Sequence, residues 1–317
     1  MHVTGRLKQR YIASRISHDH SRAVSKFVTI EGARLHFVTR GTGPPVVLIH
    51  GNPGSYQDWS RLYDPIASRY RAIAFDRPGH GHSERSNHQD ATVEVQARML
   101  HSALAELQVE SPIIVGHSWG GALALIYALI YPTALSGAVL LAPAVYESED
   151  GVSFLTKLPA LPIVGDLINF LFTPLLGARV VRADLAKAFA PDPVPNGYLR
   201  VVLSEWTRPQ KVKWYSVDDS LLNIGLRNFS PRYANLQIPV AIVTGDSDLI
   251  VPLNENSRRL HQELPQSKLV ILENTGHQIP LTRPDAVVEA IHRVGILAGI
   301  QNNGTNTRTS PSSTSGA

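Results

Sequence analysis

The sequence predicts an α/β fold: a mostly parallel central sheet flanked by helices and interrupted by a helical insertion. Three observations carry this. Short, almost wholly apolar runs recur, such as Val46-Val47-Leu48-Ile49, as expected for strands covered on both faces. Longer segments with helical spacing alternate with them, which implies parallel strands joined by right-handed crossovers. One long stretch, residues 147–233, breaks the alternation: it is rich in helix formers, Leu and Pro, with no clean strand pattern.

In chain order, Phe27-Val28-Thr29-Ile30 and Arg34 to Thr39 flank Glu31-Gly32-Ala33 and read as a β-hairpin. Val46 to Ile49 and Tyr70 to Phe75 read as strands, and Ala91 to Leu107 as a helix. Ile113 to Gly116, Ala138 to Leu141 and Val240 to Thr244 continue the strand series. Asn254 to Leu264 reads as a helix, Lys268 to Leu272 as a strand, and Pro284 to Leu297 as the closing helix. The expected organisation is a basic arm (1–26), a first core part (27–146), a helical cap (147–233), a second core part (234–298) and a disordered polar tail (299–317).

Composition narrows the class. The chain has 317 residues, 43% hydrophobic and 18% charged, which suits one large globular domain with an insertion. Cysteine is absent, so thiolate nucleophiles, disulfides and Cys-based metal sites are excluded. The net charge of +4 is uneven: residues 1–26 hold six Lys/Arg against one Asp, and the body from Phe27 to Ala298 is slightly acidic. That argues against a nucleic-acid-binding body. The arm spaces Val3, Leu7, Tyr11 and Ile16 among its basic residues, which fits a mobile leader first and a weak membrane-surface contact or targeting segment second. No signal peptide is evident, and a cytoplasmic location is expected. The uncharged stretch from Ser111 to Tyr146 is broken by Pro112, Gly116 to Gly121 and Pro132, and reads as strand-helix-strand rather than a membrane span.

The most informative motif is Gly116-His117-Ser118-Trp119-Gly120-Gly121, placed between a strand and a helix. A G-x-S-x-G sequence in that setting is a nucleophile elbow. The serine adopts a strained backbone to lift its hydroxyl above the sheet edge, so the residues two before and two after it must be small.

Four motifs stand in order: His50-Gly51-Asn52-Pro53-Gly54, Asp76 through Ser83, the Ser118 elbow, and Gly245-Asp246-Ser247-Asp248 through Pro252 followed by Gly276-His277. Together they resemble the α/β-hydrolase fold superfamily, in its capped, carboxylesterase-like branch, over nearly all of Phe27 to Ala298. The resemblance implies Ser118 as nucleophile, Asp248 as acid and His277 as base, in the family's chain order. Asp246 and Glu147 are rival acids; Asp246 is expected to cap its turn. His117 is expected to pack or hydrogen-bond locally. The backbone N–H groups of Asn52 and Trp119 are the expected oxyanion donors, each worth about 3 kcal/mol of barrier. In the Asp76–Ser83 loop, Gly79 and Gly81 imply a tight turn that Arg77 tethers by charge.

Asn52 and Trp119 also make the chain similar to haloalkane dehalogenases, in which these side chains hold a halide, and the Trp is shared with epoxide hydrolases. Both use an aspartate nucleophile. Serine attack on an alkyl carbon would leave an ether that activated water cannot cleave, so serine points to an acyl-enzyme. The expectation is hydrolysis of an ester, thioester or lactone of a mainly apolar small molecule, with no cofactor or metal. The apolar cap residues, among them Phe154, Leu155, Ile168, Phe170 and Leu175, are expected partly to pack the cap and partly to line an acyl pocket.

Three alternatives stay open. A proline-iminopeptidase-like activity would want a cap carboxylate, from Glu147, Glu149, Asp150, Asp166, Asp184, Asp192, Glu205, Asp218 or Asp219. Carbon–carbon bond hydrolysis would want basic residues, with Arg179, Arg182 and Arg200 as candidates. A ligand-binding receptor on the same fold is the third.

Overall fold

The computed structural model describes residues 23–85, 91–147, 158–161 and 164–300. Most of the basic arm, most of the polar tail and the expected cap residues Glu149, Asp150, Phe154 and Leu155 lie outside these.

The hairpin comes first. β1 (Val24–Ile30) and β2 (Ala33–Arg40) pair antiparallel, with Ile30 opposite Ala33. Glu31 and Gly32 between them both have positive φ, 49° and 85°, the two-residue turn whose twist matches paired strands. β1 begins three residues earlier than expected, taking Val24 to Lys26 from the basic arm. These residues alternate polar and apolar poorly, so periodicity alone missed them; pairing with β2 decides their state.

β3 (Pro45–Ile49), β4 (Arg71–Phe75), β5 (Ile113–His117), β6 (Gly137–Leu141), β7 (Val240–Gly245) and β8 (Lys268–Leu272) complete an eight-stranded sheet of order β1-β2-β4-β3-β5-β6-β7-β8. Pairings from β4 to β8 are parallel, and β2 joins β4 antiparallel. The expected mostly parallel sheet is therefore the one observed. β5 lies in mid-sheet and is buried at every position, which is why it reads as an unbroken apolar run.

Helices cover both faces: α1 (Tyr63–Ala67), α2 (Val93–Glu106) and α3 (Trp119–Ile130) precede the insertion. Thr92 caps α2 by accepting from the Val95 N–H at 3.3 Å. α2 and α3 pack on one face with Ile49, Phe75 and Ile114. The closing helix packs on the other face with Val46, Val115 and Val243.

Between β6 and β7 the described residues form α4 (Val164–Phe189), α5 (Asn196–Trp206) and α6 (Pro209–Phe229). Leu185 and Phe189 of α4 join Val202, Trp206 and Tyr215 in a core of their own, which Leu281 completes. The other half of α4 departs from expectation. Leu167, Phe170, Leu171, Phe172, Leu175 and Leu176 are exposed, Phe170 by 71% and Leu175 by 74%. Hydrophobicity predicted burial there, but no element of the described chain covers that side.

After β7, a π-helical turn (Asn254–Arg258) runs into α7 (Arg259–Glu263); α8 (Ile279–Thr282) and α9 (Pro284–Leu297) follow β8. Gly299, with φ 70°, ends α9, and the Ile300 N–H returns to the Gly295 carbonyl at 2.9 Å.

The tightest packing surrounds the β5–α3 turn. A Cβ on Gly116 would lie 2.6 Å from the Gly120 carbonyl carbon, and one on Gly120 would lie 2.5 Å from the His50 carbonyl oxygen. Both obstacles are backbone and cannot swing away. Gly120→Ala gains about 1 kcal/mol of helix propensity but incurs an overpacking cost of about 3 kcal/mol. A net loss of about 2 kcal/mol is expected in urea titrations.

Candidate active site

Ser118 sits between β5 and α3 with φ 54° and ψ −119°, a conformation that side-chain-bearing residues rarely adopt. Backbone hydrogen bonds hold it there. Its N–H donates to the Leu141 carbonyl at 2.9 Å, and its carbonyl accepts from Gly121 at 2.9 Å and Ala144 at 3.2 Å. The side chain lies in a nearly closed site, the residue being 8% exposed.

His277 follows β8 and Asp248 follows β7, so neighbouring strand ends bring them together. His277 Nδ1 is 2.8 Å from Asp248 Oδ2. The other carboxylate oxygen accepts the N–H groups of Ile250 at 2.8 Å and Val251 at 2.9 Å. Burial raises the Asp248 pKa, but the His277 charge and these hydrogen bonds outweigh it, so the carboxyl sits below its usual range. An ionised Asp248 fixes the proton on Nδ1 and leaves Nε2 as an acceptor.

His117 links this pair to the elbow. Its Nε2 lies 2.9 Å from the His277 carbonyl oxygen, and the two rings are 4.7 Å apart. Burial, then the nearby His277, lowers its pKa to about 3, so it is a neutral donor at Nε2. The expected local contact is instead a bond across 160 residues; a histidine before the nucleophile gave no hint of that partner. The His277 loop is also anchored to the insertion: the Ala188 carbonyl at the end of α4 accepts from both His277 (2.9 Å) and Gln278 (3.2 Å).

The rival acids lie elsewhere. Asp246 is exposed and accepts from the Ser247 hydroxyl at 2.8 Å and the Thr275 N–H at 3.4 Å. Glu147 forms an exposed ion pair with Arg227. Neither is hydrogen-bonded to His277.

The loop after β3 passes over the serine. A Cβ on Gly51 would lie 3.1 Å from Ser118 Cβ, which sets the backbone of Asn52 beside the elbow. Trp119 opens α3, where a backbone N–H has no acceptor within its own helix. Neither the Asn52 nor the Trp119 N–H donates to another backbone group among the described residues.

Both side chains are engaged by α6. Asn52 Nδ2 donates to the Tyr215 carbonyl at 2.9 Å and to Asp219 Oδ1 at 2.5 Å. Trp119 Nε1 donates to the Asp218 carbonyl at 3.4 Å. The Arg77 guanidinium lies 3.9 Å from the Trp119 ring centroid, a cation–π contact.

Asp218 is fully buried and is the hub of this contact. It accepts from Arg77 at 2.6 Å, Arg85 at 2.6 Å and His80 at 2.8 Å. Burial raises its pKa, and the two guanidinium charges overcome that, holding it ionised. Burial lowers His80 to about 3, so His80 donates as a neutral ring. The expected tether in the Asp76–Ser83 loop is thus a bond from Arg77 to the insertion. Asp218 was one of nine candidate carboxylates in the sequence; its partners come from distant segments, and no spacing marks them. Arg179, Arg182 and Arg200 are exposed, so the buried cations next to Trp119 and Asp218 are Arg77 and Arg85. Among the described residues no cluster of His, Asp and Glu has the makings of a metal site.

Comparison with known proteins agrees with this architecture. The family model for the alpha/beta hydrolase fold matches residues 44–284. A 2-hydroxy-6-oxononadienedioate/2-hydroxy-6-oxononatrienedioate hydrolase of Comamonas testosteroni is 26% identical, over 83% of this chain and 93% of its own. Proline iminopeptidase PfmaB of Pestalotiopsis fici is 27% identical, over 84% and 97%. An alpha/beta hydrolase fold protein of Burkholderia ambifaria superposes with a TM-score of 0.72 at 26% identity, covering 84% of this chain and 96% of that one.

Two predictions concern buried carboxylates. Asp218→Ala strands two buried guanidinium groups, and a loss of about 3–5 kcal/mol is expected in chemical unfolding. Asp58 is buried, accepts from the Tyr198 hydroxyl of α5 at 2.9 Å, and is raised by burial from its ordinary 3.8 to about 7. Between about pH 4 and pH 7 the folded chain therefore binds a proton that the unfolded chain has already released. Its contribution to stability falls as pH rises through that window, and the cost is complete above it. Asp58→Asn should flatten the stability–pH curve between about pH 4 and 7 relative to wild type, as read by thermal melts.

With the elbow, the strand-end loops and the helical insertion all in place, the chain belongs to the α/β hydrolase fold family.

Proposed function

We propose that the chain is a serine hydrolase that cleaves a carboxylic ester, thioester or lactone of a small, mainly apolar molecule. One observation carries this reading: an oriented Asp248–His277 pair is bonded to the elbow of Ser118 through His117. In this reading His277 Nε2 takes the Ser118 proton, and Asp248 stabilises the imidazolium that results. Ser118 Oγ attacks the carbonyl carbon, and the N–H groups of Asn52 and Trp119 receive the developing oxyanion. The imidazolium then protonates the leaving oxygen, and water, activated by the same ring, cleaves the acyl-enzyme. The helical insertion serves as the cap.

Two features speak against halide chemistry. The nucleophile is serine, so alkyl transfer to it would stop at an ether. The Asn52 and Trp119 side-chain N–H groups, which would have to hold a halide, are already donating to Asp219, Tyr215 and Asp218.

Cleavage beside a free amine is the second reading, and Asp219 is the observation that favours it. Its half-buried carboxylate lies at Asn52, and burial raises its pKa to about 7. Asp218, fully occupied by Arg77, Arg85 and His80, is not open to a substrate ammonium.

The test is turnover of p-nitrophenyl esters of graded acyl length beside amino-acid β-naphthylamides. Wild type should hydrolyse the esters. Ser118→Ala should lower kcat by about 10³-fold or more, and Asp248→Asn by about 10⁴-fold. Naphthylamide turnover without ester turnover would favour the second reading. A wild type that hydrolyses neither class would overturn both.

A further inference from the structure

A well-packed chain rarely exposes several large apolar side chains on one helix. Leu167, Phe170, Leu171 and Leu175 recur at three- and four-residue steps and so share one side of α4, and each is exposed. The same side continues into Arg179 and Arg182, four and seven residues beyond Leu175, and both are exposed. Neither guanidinium makes an ion pair or hydrogen bond among the described residues. Apolar turns leading into unpaired cations on one helix side are the chemistry of an interfacial helix.

Charge selects the occupant. Residues 158–233 carry nine Lys/Arg against six Asp/Glu, whereas the body of the chain is slightly acidic. Arg179 and Arg182 themselves complement an anionic surface. The sequence ahead of β1 adds further basic residues. We infer that the exposed side of α4 docks on an anionic lipid bilayer, with Leu167, Phe170, Leu171 and Leu175 in the acyl boundary and Arg179 and Arg182 among the headgroups. None of these residues belongs to the proposed catalytic machinery, so this inference stands apart from the ester-cleaving reading.

The experiment is co-sedimentation of the full chain with phosphatidylcholine vesicles, with and without phosphatidylglycerol. Wild type should sediment with the anionic vesicles, less so at high salt, and weakly with the neutral ones. The double variant Phe170→Asp/Leu175→Asp should bind at least about tenfold more weakly. Arg179→Glu/Arg182→Glu should lose the preference for phosphatidylglycerol. Because these side chains are exposed, both variants should melt as wild type does, and any ester turnover in solution should be unchanged. Leu171→Ser provides a milder substitution should the double variant unfold. Wild type left in the supernatant would overturn the proposal. So would equal sedimentation of wild type and the apolar variants, which would put the contact elsewhere. A wild-type dimer that Phe170→Asp/Leu175→Asp converts to monomer, without vesicle binding, would assign the surface to protein pairing instead.

Discussion

Everything at the centre of this molecule follows from how closely three backbone segments approach around Ser118. The β3 loop at Gly51, the last turn of β5 at Gly116 and the first turn of α3 at Gly120 come so near that a single methyl group on any of them meets its neighbours. That crowding keeps the serine at a positive φ, which would otherwise relax. A strained residue persists only where its surroundings over-determine it, and here they are rigid parallel strands in mid-sheet rather than a mobile loop.

The insertion is joined to this centre by charge rather than by apolar packing alone. A buried carboxylate between two guanidinium groups is costly to assemble, and its net stabilisation is small when every partner is present. Its value lies in geometry. With Asp218 seated, its own carbonyl meets the Trp119 indole, and the next residue meets the Asn52 amide. The polar side chains that flank Ser118 are thereby fixed by a helix that enters the sequence about a hundred residues later.

Much of the fold was legible in the sequence because short buried strands declare themselves by unbroken apolar runs. Val46 to Ile49 and Ile113 to Gly116 needed no alternation to be read, since both their faces are covered. The elbow was legible because its glycines answer a local steric demand. Two kinds of feature were not. Val24 to Lys26 are strand by virtue of their partner, and their own side chains carry little signal. Contacts among His117, His277 and Ala188, or among Asp218, Arg77 and Arg85, join residues whose separation in sequence bears no relation to their distance in space. In α4, apolar composition was a sound guide to helix and a poor guide to burial, because hydrophobicity states a preference and only the neighbouring elements decide whether it is met.

The two backbone hydrogen bonds that the Ala188 carbonyl accepts, from His277 and Gln278, bear on exchange between relatives. His277 is held from two sides: its ring by the Asp248 carboxylate after β7, and its backbone by a main-chain oxygen that belongs to the insertion. Transplanting the insertion from another member of the fold would therefore disturb the loop that carries the ring. A graft would have to reproduce that one oxygen before any change in selectivity could be ascribed to the new walls.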